Sequence, residues 1–336
     1  MSLICRSAGL TLAVDAPKGP WRQRVAEACA GQFTHGLSPD VHVRVELGAG
    51  PFGLEGLDPL TRGAWAGQER VVMEDACASG VDLRLTFSDD CLQVEARPRP
   101  RPSQRGLALL APARTTLLWR EVLLQYPVLW WAGLKGGVPM HVSALLVDGQ
   151  GVVLAGPGGV GKSTLLAGAM SAGAQAISDN LCVCYGSTLY GVLEPLRTAS
   201  GKGRRMPHGR RESSWTARRE DVVAQRILVL RRGSERDVAM VSIRSREAAR
   251  VIAAGTYAAG ELRRYWAFAS TLALGTGLGP AHPPVVGSAA DLASGMPCSE
   301  VLLPSTPGVH LLDLIAGPRA GTRVRQLPEG AERPCQ

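Results

Sequence analysis

The stretch that decides the fold reads GVVLAGPGGVGKST and spans residues 151–164. Residues 156–163 match the pattern G-x-x-x-x-G-K-[ST] in full. The apolar residues 151–155 predict a strand that leads into this segment, and residues 164–170 predict a helix that follows it. Because strand, glycine-rich loop and helix come in this order, we expect an α/β fold built around a phosphate site.

The residue types of this loop suit a nucleoside triphosphate. Glycines lack Cβ atoms, so the backbone N–H groups can curl around a phosphate, and the helix N-terminus adds the positive end of its dipole. We expect Lys162, as an exposed loop cation, to reach the β- and γ-phosphates of ATP, and the Ser163 hydroxyl to bind Mg²⁺. The predicted nucleotide-binding residues are Gly156, Pro157, Gly158, Gly159, Val160, Gly161, Lys162, Ser163 and Thr164.

Strand and helix patterns alternate along the chain on both sides of this loop, which is α/β order. Strands are predicted at residues 41–45, 81–87, 91–94, 142–147, 175–178, 181–185, 227–230, 299–303 and 309–315, the last two closing the sheet. Helices are predicted at residues 20–30, 162–172, 245–254 and 257–272, together with a helix or helix pair over residues 114–134 that is interrupted at Pro127.

The Arg-Pro alternation at residues 97–105 is predicted to be a domain boundary. Each proline removes a backbone donor and biases the preceding residue toward extended geometry, so this stretch suits neither a helix nor a central strand. We therefore expect a small strand-rich α+β domain over residues 1–96, a linker at 97–105 and the larger α/β domain over 106–336.

The net charge of +8 is concentrated in two segments. Residues 97–105 carry four arginines and no acid, whereas residues 202–219 carry seven basic residues against Glu212 alone. The rest of the chain is close to neutral, which does not predict a basic face that follows a nucleic-acid backbone. We expect no nucleic-acid partner.

The remaining composition indicates a globular protein of a reducing compartment. The 8 cysteines are scattered without C-x-x-C spacing and predict neither a disulfide framework nor a zinc site. There is no convincing signal peptide and no apolar run long enough to span a bilayer, so we expect a cytoplasmic protein without a membrane partner. The sequence leaves a homo-oligomer open.

Two side chains near the loop are candidates for catalysis. Asp179 follows the strand predicted at 175–178, and His141 precedes the strand predicted at 142–147. In a parallel sheet the carboxyl end of such a strand faces the phosphate loop, so Asp179 can reach a metal ion or accept a proton from an attacking hydroxyl. A helix or turn cap for Asp179, and a satisfied, partly buried histidine for His141, are the alternatives.

The order and spacing of residues 140–180 resemble the kinase domain of HPr kinase/phosphorylase and of the HPr-kinase-like kinases found beside natural-product peptide pathways. The similarity lies in Met140-His141, VDGQG at 147–151, the glycine-rich loop, Gly173 and ISDN at 177–180. It implies a P-loop kinase domain with a smaller N-terminal strand-rich domain. It also implies that His141 lies against the transferring phosphoryl group and that Asp179 is the catalytic base or a metal-linked acid.

The chain departs from that family at several positions. Asn180 stands where a second acid is usual, and Thr164 where a glutamate is common. The later E-x-R-G motif is replaced by EPLR at 194–197, in which Arg197 is a candidate contact to phosphate or acceptor. An amide cannot accept a proton, so the resemblance supports phosphoryl transfer better than the reverse, phosphorolytic reaction, and HPr itself is not the expected acceptor.

The basic segment 202–219 has two interpretations. Arg204 and Arg205 are candidate contacts to the acceptor, within a lid over the nucleotide or a grip on an acidic peptide. The alternative is a solvated excursion of the chain without a binding role.

The sequence thus predicts an ATP- and Mg²⁺-dependent kinase with Asp179, His141 and Lys162 as catalytic residues and with Ser163 and Asp179 at the metal. Its acceptor is a hydroxyl group, on a Ser or Thr side chain of a peptide or protein. A free hydroxylated metabolite, such as an amino acid or sugar, is the alternative acceptor. A non-catalytic, nucleotide-dependent regulator is the alternative of another class.

Overall fold

The structure is a computed structural model and describes residues 2–30, 32–88, 90–198, 203–207, 209–216, 218–233, 238–304, 310–315 and 324–326. Its strands are β1 (Leu3–Ser7), β2 (Leu10–Asp15), β3 (Val41–Val45), β4 (Asp58–Thr61), β5 (Ala64–Gly67), β6 (Arg70–Met73), β7 (Val81–Phe87), β8 (Leu92–Pro98), β9 (Val138–Met140), β10 (Ser143–Val147), β11 (Gln150–Ala155), β12 (Gln175–Ser178), β13 (Cys182–Tyr185), β14 (Thr188–Gly191), β15 (Leu196–Thr198), β16 (Arg204–Arg205), β17 (Arg211–Ser213), β18 (Asp221–Val223), β19 (Arg226–Arg232), β20 (Val238–Ser242), β21 (Cys298–Leu303) and β22 (Val324–Gln326). Its α-helices are α1 (Pro20–Ala28), α2 (Pro102–Leu110), α3 (Pro112–Arg120), α4 (Tyr126–Leu134), α5 (Lys162–Ser171), α6 (Ser245–Ala258), α7 (Gly260–Thr276), α8 (Val285–Ala293) and α9 (Leu311–Ile315). A 3₁₀ turn covers Ala76–Ala78 and a π-helical turn covers Glu121–Gln125.

The chain forms two compact units, and each of them is assembled from three separate stretches. The first unit contains residues 1–138, 192–216 and 260–283, and the second contains residues 139–191, 217–259 and 284–336. This division differs from the expected domains 1–96 and 106–336, because residues 106–138, 192–216 and 260–283 pack with the N-terminal strands. Both units mix helices and sheets, so the chain is of mixed α/β class.

The first unit is built on an eight-stranded sheet with the order β1-β2-β3-β8-β7-β6-β5-β4. β3 shows why these residues form a strand, since Val41, Val43 and Val45 are buried while His42 and Arg44 are more exposed. The predicted strand-rich character of the N-terminal region therefore agrees with the structure. A second, three-stranded sheet with the order β15-β17-β16 also belongs to this unit.

The stretch 97–105 is not a linker in the structure, which corrects the sequence-based expectation. β8 continues through Pro98, and α2 begins at Pro102, where a missing N–H costs nothing. Pro98 is tolerated because it is the last residue of its strand. Ion pairs with acids of the same unit hold two of the arginines, Arg97 to Glu46 at 3.0 Å and Arg99 to Asp82 at 2.6 Å.

The helical stretch around Pro127 is interrupted slightly earlier than expected. α3 passes into the π-helical turn at residues 121–125, and α4 then begins at Tyr126 with Pro127 in its first turn. Proline has no N–H to donate to the preceding turn, and the wider π-turn accommodates that loss. The chain therefore stays helical from Pro112 to Leu134, because the π-turn joins α3 directly to α4.

The second unit contains a seven-stranded sheet with the order β12-β10-β11-β19-β21-β20-β22. β11 lies inside this sheet, antiparallel to β10 and parallel to β19. Residues 151–155 of β11 are all buried, as expected for a strand covered on both faces. Apolar residues of α5 and α9 pack into the same core, among them Leu165 and Leu311.

The strands predicted at residues 142–147, 151–155, 175–178, 181–185, 227–230 and 299–303 agree closely with the structure, whereas β14, β18, β20 and β22 were not predicted. One prediction is wrong. Residues 311–315, expected to form a closing strand, form the short helix α9. Leu311, Leu312 and Leu314 are buried there, so the apolar run reflects core packing, which periodicity over so few residues does not distinguish from a strand. Among the described residues, no helix is long and apolar enough to cross a membrane.

Candidate functional site

One edge of the seven-stranded sheet brings together the loop 156–161, Asp179 and His141. β12 and β10 are antiparallel, and so are β10 and β11, which makes β12 run in the same direction as β11. The carboxyl ends of β11 and β12 and the amino end of β10 therefore lie at the same end of the sheet, which is called the sheet edge below. The sequence-based argument assumed a parallel sheet, and the antiparallel β10 corrects that assumption while leaving Asp179 at the expected edge.

The backbone of the loop needs glycine at two positions. Gly156 has a φ of 144°, and a Cβ there would lie 2.6 Å from the carbonyl oxygen of Leu230. Gly161 has a φ of 123° and is the residue from which α5 begins. Only glycine adopts these angles readily, so the local sequence produces a turn that aims the first N–H groups of α5 at the sheet edge.

Lys162 is buried, which corrects the expectation of an exposed loop cation. Its side chain folds back so that Nζ donates to the carbonyl oxygens of Gly156 at 2.7 Å and Pro157 at 3.3 Å. The ammonium group thus lies inside the curve of the loop. Ser163 beside it is also buried, whereas Thr164, expected to bind nucleotide as well, is exposed.

Asp179 is 2% exposed and lies in a tight turn after β12. The hydroxyl of Ser143 donates to the carbonyl oxygen of Asp179 at 2.6 Å, and Ser178 Oγ accepts the N–H groups of Asn180 and Leu181. The Ser143 and Ser178 hydroxyls therefore fix the backbone of residues 179–181, which positions the Asp179 carboxylate. Asn180 is 5% exposed, and its buried Nδ2 has no hydrogen-bond partner among the described residues.

His141 is 9% exposed and packs against the C-terminal part of α6. Its backbone N–H donates to Thr256 Oγ1 at 3.0 Å. A Cβ on Gly255 would lie 3.9 Å from His141 Nδ1 and 3.8 Å from the carbonyl oxygen of Gly156. The histidine ring and the start of the loop therefore line the same small space, and the absence of a side chain at Gly255 keeps that space open.

Sequence reasoning missed three further residues at this edge. Gly255 and Thr256 lie on α6, more than a hundred residues from His141, and carry no motif of their own. Arg232 ends β19, the parallel neighbour of β11, and its Nη2 lies 4.0 Å from the position of a Cβ on Gly161. The rule that selected Asp179, a polar residue after an apolar strand, would have pointed to the pair Arg231-Arg232, which follows the strand predicted at 227–230.

The three candidate acceptor contacts lie in the other unit. Arg197 is 6% exposed, and its guanidinium donates to Glu261 Oε1 at 2.6 Å and Glu194 Oε2 at 2.8 Å. Arg204 and Arg205 form the short strand β16 and are exposed. The segment 202–219 is therefore partly a small sheet rather than only a solvated excursion, while Lys202 lies outside the described residues.

Magnesium and ATP are implied by the motif, and the donor set at the edge fits them. The loop offers backbone N–H groups, the Lys162 ammonium and the Ser163 hydroxyl, and Asp179 offers a carboxylate. The described part of the chain contains no cluster of three or more His, Cys, Asp or Glu side chains for a resident metal. Mg²⁺ is commonly held by one or two protein ligands together with substrate phosphates, and the Ser163 hydroxyl and the Asp179 carboxylate are oxygen donors of that kind.

Comparisons with known proteins give limited similarity. A family model described as "SynChlorMet cassette protein ScmC" matches residues 113–269, which include the whole sheet-edge cluster. No curated protein matches the chain. The HPr(Ser) kinase/phosphatase from Coxiella burnetii matches at 16% identity over 28% of this chain, with a TM-score of 0.22. The match spans 60% of that protein's length.

Proposed function

We propose that this protein is an ATP- and Mg²⁺-dependent kinase that transfers the γ-phosphoryl group to a hydroxyl on a Ser or Thr side chain of a peptide. The observation that carries the proposal is the shared sheet edge, at which the loop 156–161, Asp179 and His141 come together. A glycine-rich loop with its lysine suits many nucleotide-binding proteins, whereas a buried carboxylate and a histidine at the same edge favour group transfer.

Binding of the nucleotide falls to the loop and to α5. The N–H groups of the loop and of the first turn of α5 would bind phosphate oxygens, and Lys162 would exchange its two carbonyl partners for the β- and γ-phosphates. Ser163 and Asp179 would hold Mg²⁺, which when bound neutralises charge on the phosphates. Arg232, from the neighbouring strand, adds a further cation beside the loop.

In the transfer step Asp179 acts as the general base. It accepts the proton of the acceptor hydroxyl while the hydroxyl oxygen forms a bond to the γ-phosphorus. The bond from the γ-phosphorus to the bridging oxygen breaks, and ADP leaves with that electron pair. His141 lines the space beside the first residue of the loop, where it can donate a hydrogen bond to a phosphoryl oxygen.

The proposal is tested by incubating the protein with γ-labelled ATP, Mg²⁺ and two separate acceptor pools. One pool contains Ser- and Thr-bearing peptides, and the other contains hydroxylated amino acids and sugars. We expect label in the peptides, and a fall of about 10²- to 10⁴-fold in transfer by Asp179→Asn, the range that a general base supplies.

Nucleotide affinity of the Asp179→Asn variant, measured by calorimetry, should stay close to that of the wild type. Label in the metabolite pool alone would keep the chemistry and replace the acceptor class. Bound nucleotide with neither pool labelled would contradict the kinase proposal and favour a nucleotide-dependent regulator.

A further inference from the structure

The first unit exposes a group of leucines where α2 ends and α3 begins. Leu109 and Leu110, the last two residues of α2, are 83% and 89% exposed, and Leu107, about one turn earlier, is 42% exposed. These three residues are called the leucine corner below. α2 has no buried residue, so the whole helix lies on the surface. Single exposed apolar side chains are common, whereas neighbouring leucines exposed to this degree indicate a contact surface.

The two helices on either side of the leucine corner are fixed to the rest of the unit. In the first turn of α2, Gln104 Oε1 accepts the N–H of Arg101 at 2.8 Å, and Gln104 Nε2 donates to Asp75 Oδ1 at 2.8 Å. In α3, Trp119 Nε1 donates to the carbonyl oxygen of Ser79 at 3.0 Å. Both helices are thus anchored to neighbouring residues of the first unit. The leucine corner is therefore a defined part of the surface.

The chain around the leucine corner carries positive charge only. Residues 96–120 contain six arginines and no aspartate or glutamate. Three of these arginines form ion pairs of 3.0 Å or less with acids from elsewhere in the unit, namely Arg97, Arg99 and Arg120. Arg101 forms only a longer pair with Asp75, at 3.6 Å, and its side chain is exposed. Such an exposed pair leaves most of the positive charge available to a partner.

The two remaining arginines, one on each side of the leucine corner, have no acid to pair with. Arg105 lies one helical turn before Leu109, and its Nε donates to the carbonyl oxygen of Pro100 at 3.0 Å. Arg114 lies in the first turn of α3 and is exposed. Neither of them forms an ion pair with a carboxylate of the described residues. The exposed leucines are therefore flanked by cations whose charge is not neutralised.

We propose that the leucine corner docks the first unit onto an anionic lipid bilayer, with its leucines at the boundary of the acyl chains and with Arg105 and Arg114 at the phosphates of the headgroups. A bilayer accommodates side chains that project from a surface helix, whereas a protein partner needs a matching groove. The unpaired arginines favour an anionic surface. They disfavour a second copy of the chain, because the arginines of both copies would then meet. The inference concerns the first unit only and does not depend on the proposed reaction.

A contact of this kind needs no segment that crosses the bilayer. An interfacial helix lies in the plane of the headgroups and enters only about 5–10 Å, to the boundary of the acyl chains. The sequence-based expectation of no membrane partner considered only spanning segments and leader sequences, and the proposal replaces it. Few apolar side chains take part, so we expect the binding to be weak and reversible.

The test is co-sedimentation of the 336-residue chain with two kinds of lipid vesicle. One kind contains phosphatidylcholine alone, and the other contains equal parts of phosphatidylcholine and phosphatidylglycerol. We expect the anionic vesicles to be bound about tenfold or more tightly, because each arginine near an anionic surface contributes about fivefold. This preference should decrease as the salt concentration is raised. Equal binding to both kinds of vesicle, or binding to neither, would overturn the proposal.

The apolar part of the contact is tested by the double variant Leu109→Ser, Leu110→Ser. It should bind the anionic vesicles about tenfold or more weakly, since the burial of one leucine side chain contributes about that factor. Leu274→Ser on α7 of the same unit is the matched control, because Leu274 is a helical leucine that is 67% exposed, and it should bind like the wild type. Wild-type binding by the double variant would mean that charge alone holds the vesicle, which contradicts a role for the leucine corner.

The position of the charge is tested by Arg114→Gln, which should weaken binding to the anionic vesicles about fivefold. Arg62→Gln, in an exposed turn of the same unit, removes the same net charge and should leave the binding unchanged. An equal loss in both variants would assign the binding to the net charge of the chain and overturn the proposal. Unaltered thermal unfolding of each variant establishes that it is folded.

Sedimentation velocity without vesicles tests a second copy of the chain as the occupant of this surface. We expect the wild type and the leucine double variant to have the same oligomeric state. A dimer of the wild type that the double variant does not form would assign the leucine corner to self-association and overturn the proposal.

Discussion

Arg197 in the first unit and Lys162 in the second are both buried cations, but their partners differ in kind. Arg197 lies between the carboxylates of Glu194 and Glu261, at 2.8 Å and 2.6 Å. Lys162 donates to two neutral carbonyl oxygens of its own loop. Sequence order made both of them candidates for binding phosphate, and the structure distinguishes them by what a phosphate would have to displace.

The difference shows how a structural cation is told apart from a binding cation. A phosphate that approached Arg197 would have to replace two full negative charges, one of them on the completely buried Glu194. At Lys162 it would replace the hydrogen bonds to the carbonyl oxygens of Gly156 and Pro157, which are neutral groups, and it would gain the N–H groups of the loop as well. We therefore interpret Arg197 as a cation that stabilises the fold of its unit. We interpret Lys162 as a cation that can exchange its carbonyl partners for phosphate oxygens.

The largest expected effect on stability comes from Arg197→Met. This change leaves Glu194 and Glu261 without their shared counter-charge in a buried place, and we expect the free energy of unfolding to fall by about 3–5 kcal/mol. The matched control is Arg205→Met on the exposed strand β16, for which we expect a change within about 0.5 kcal/mol. Urea unfolding followed by circular dichroism measures both, and equal stabilities for the two variants would contradict the framework role.

Glu121 sharpens the comparison, because this buried carboxylate forms only a long ion pair with Arg264, at 3.6 Å. Burial raises the pKa of Glu121 to about 7, against the pull of Arg264 in the other direction. A raised carboxyl pKa contributes stability that is full below the unfolded value of 4.5 and is lost as the pH rises through about 7.

Glu121→Gln removes this titration. Relative to the wild type, the variant should gain about 3 kcal/mol of unfolding free energy between about pH 4 and about pH 8. Urea unfolding of both proteins across this range measures the difference. If the difference in unfolding free energy between the two proteins does not change with pH, Glu121 is ionised across the whole range. Arg264 would then neutralise Glu121 in the way that Glu194 and Glu261 neutralise Arg197.

Among the three buried charged residues, the smallest expected effect on stability, within about 1 kcal/mol, belongs to Lys162→Met, because the loss of its hydrogen bonds to Gly156 and Pro157 is offset by the removal of a buried charge. Methionine fills nearly the same space. Phosphate transfer should nevertheless be abolished, which the labelled-ATP assay measures. Strong destabilisation would place Lys162 with Arg197 among the framework cations, and retained transfer would remove it from the catalytic group.

The sheet edge shows how far the sequence carried the prediction. The loop and Asp179 were found because each follows a buried strand, and β10, β11, β12, β13, β19 and β21 match predicted strands within one or two residues. The short strands β14, β18, β20 and β22 were not predicted from the sequence. Lys162 was expected to be exposed because it lies in a loop. Lys162 is buried because its side chain bends back to the carbonyl oxygens of its own loop, and no residue pattern predicts such a contact.

Longer-range contacts account for the other misses. Gly255 and Thr256 reach His141 from α6, and Arg197 meets Glu261 across 64 residues of sequence. Glu261 lies too far along the chain for any spacing rule, and Glu194, three residues before Arg197, is not on a helix, where that spacing would predict a contact. No pattern in the sequence therefore indicated that Arg197 is neutralised. The apolar run at 311–315 was too short for its period to be determined, and helix and strand remained equally consistent with it.

The division of each unit among three stretches governs the order in which the chain can fold during synthesis. Leu193 donates its N–H to Ser7 Oγ across 186 residues, and α7 lies with Gly275 against Leu60, Ala66 and Val71. Part of the apolar face of the N-terminal sheet therefore stays uncovered during synthesis until residues 260–283 have left the ribosome. Contacts at such separations slow folding, and a fragment that ends at the Arg-Pro stretch would keep that face exposed and be prone to aggregation.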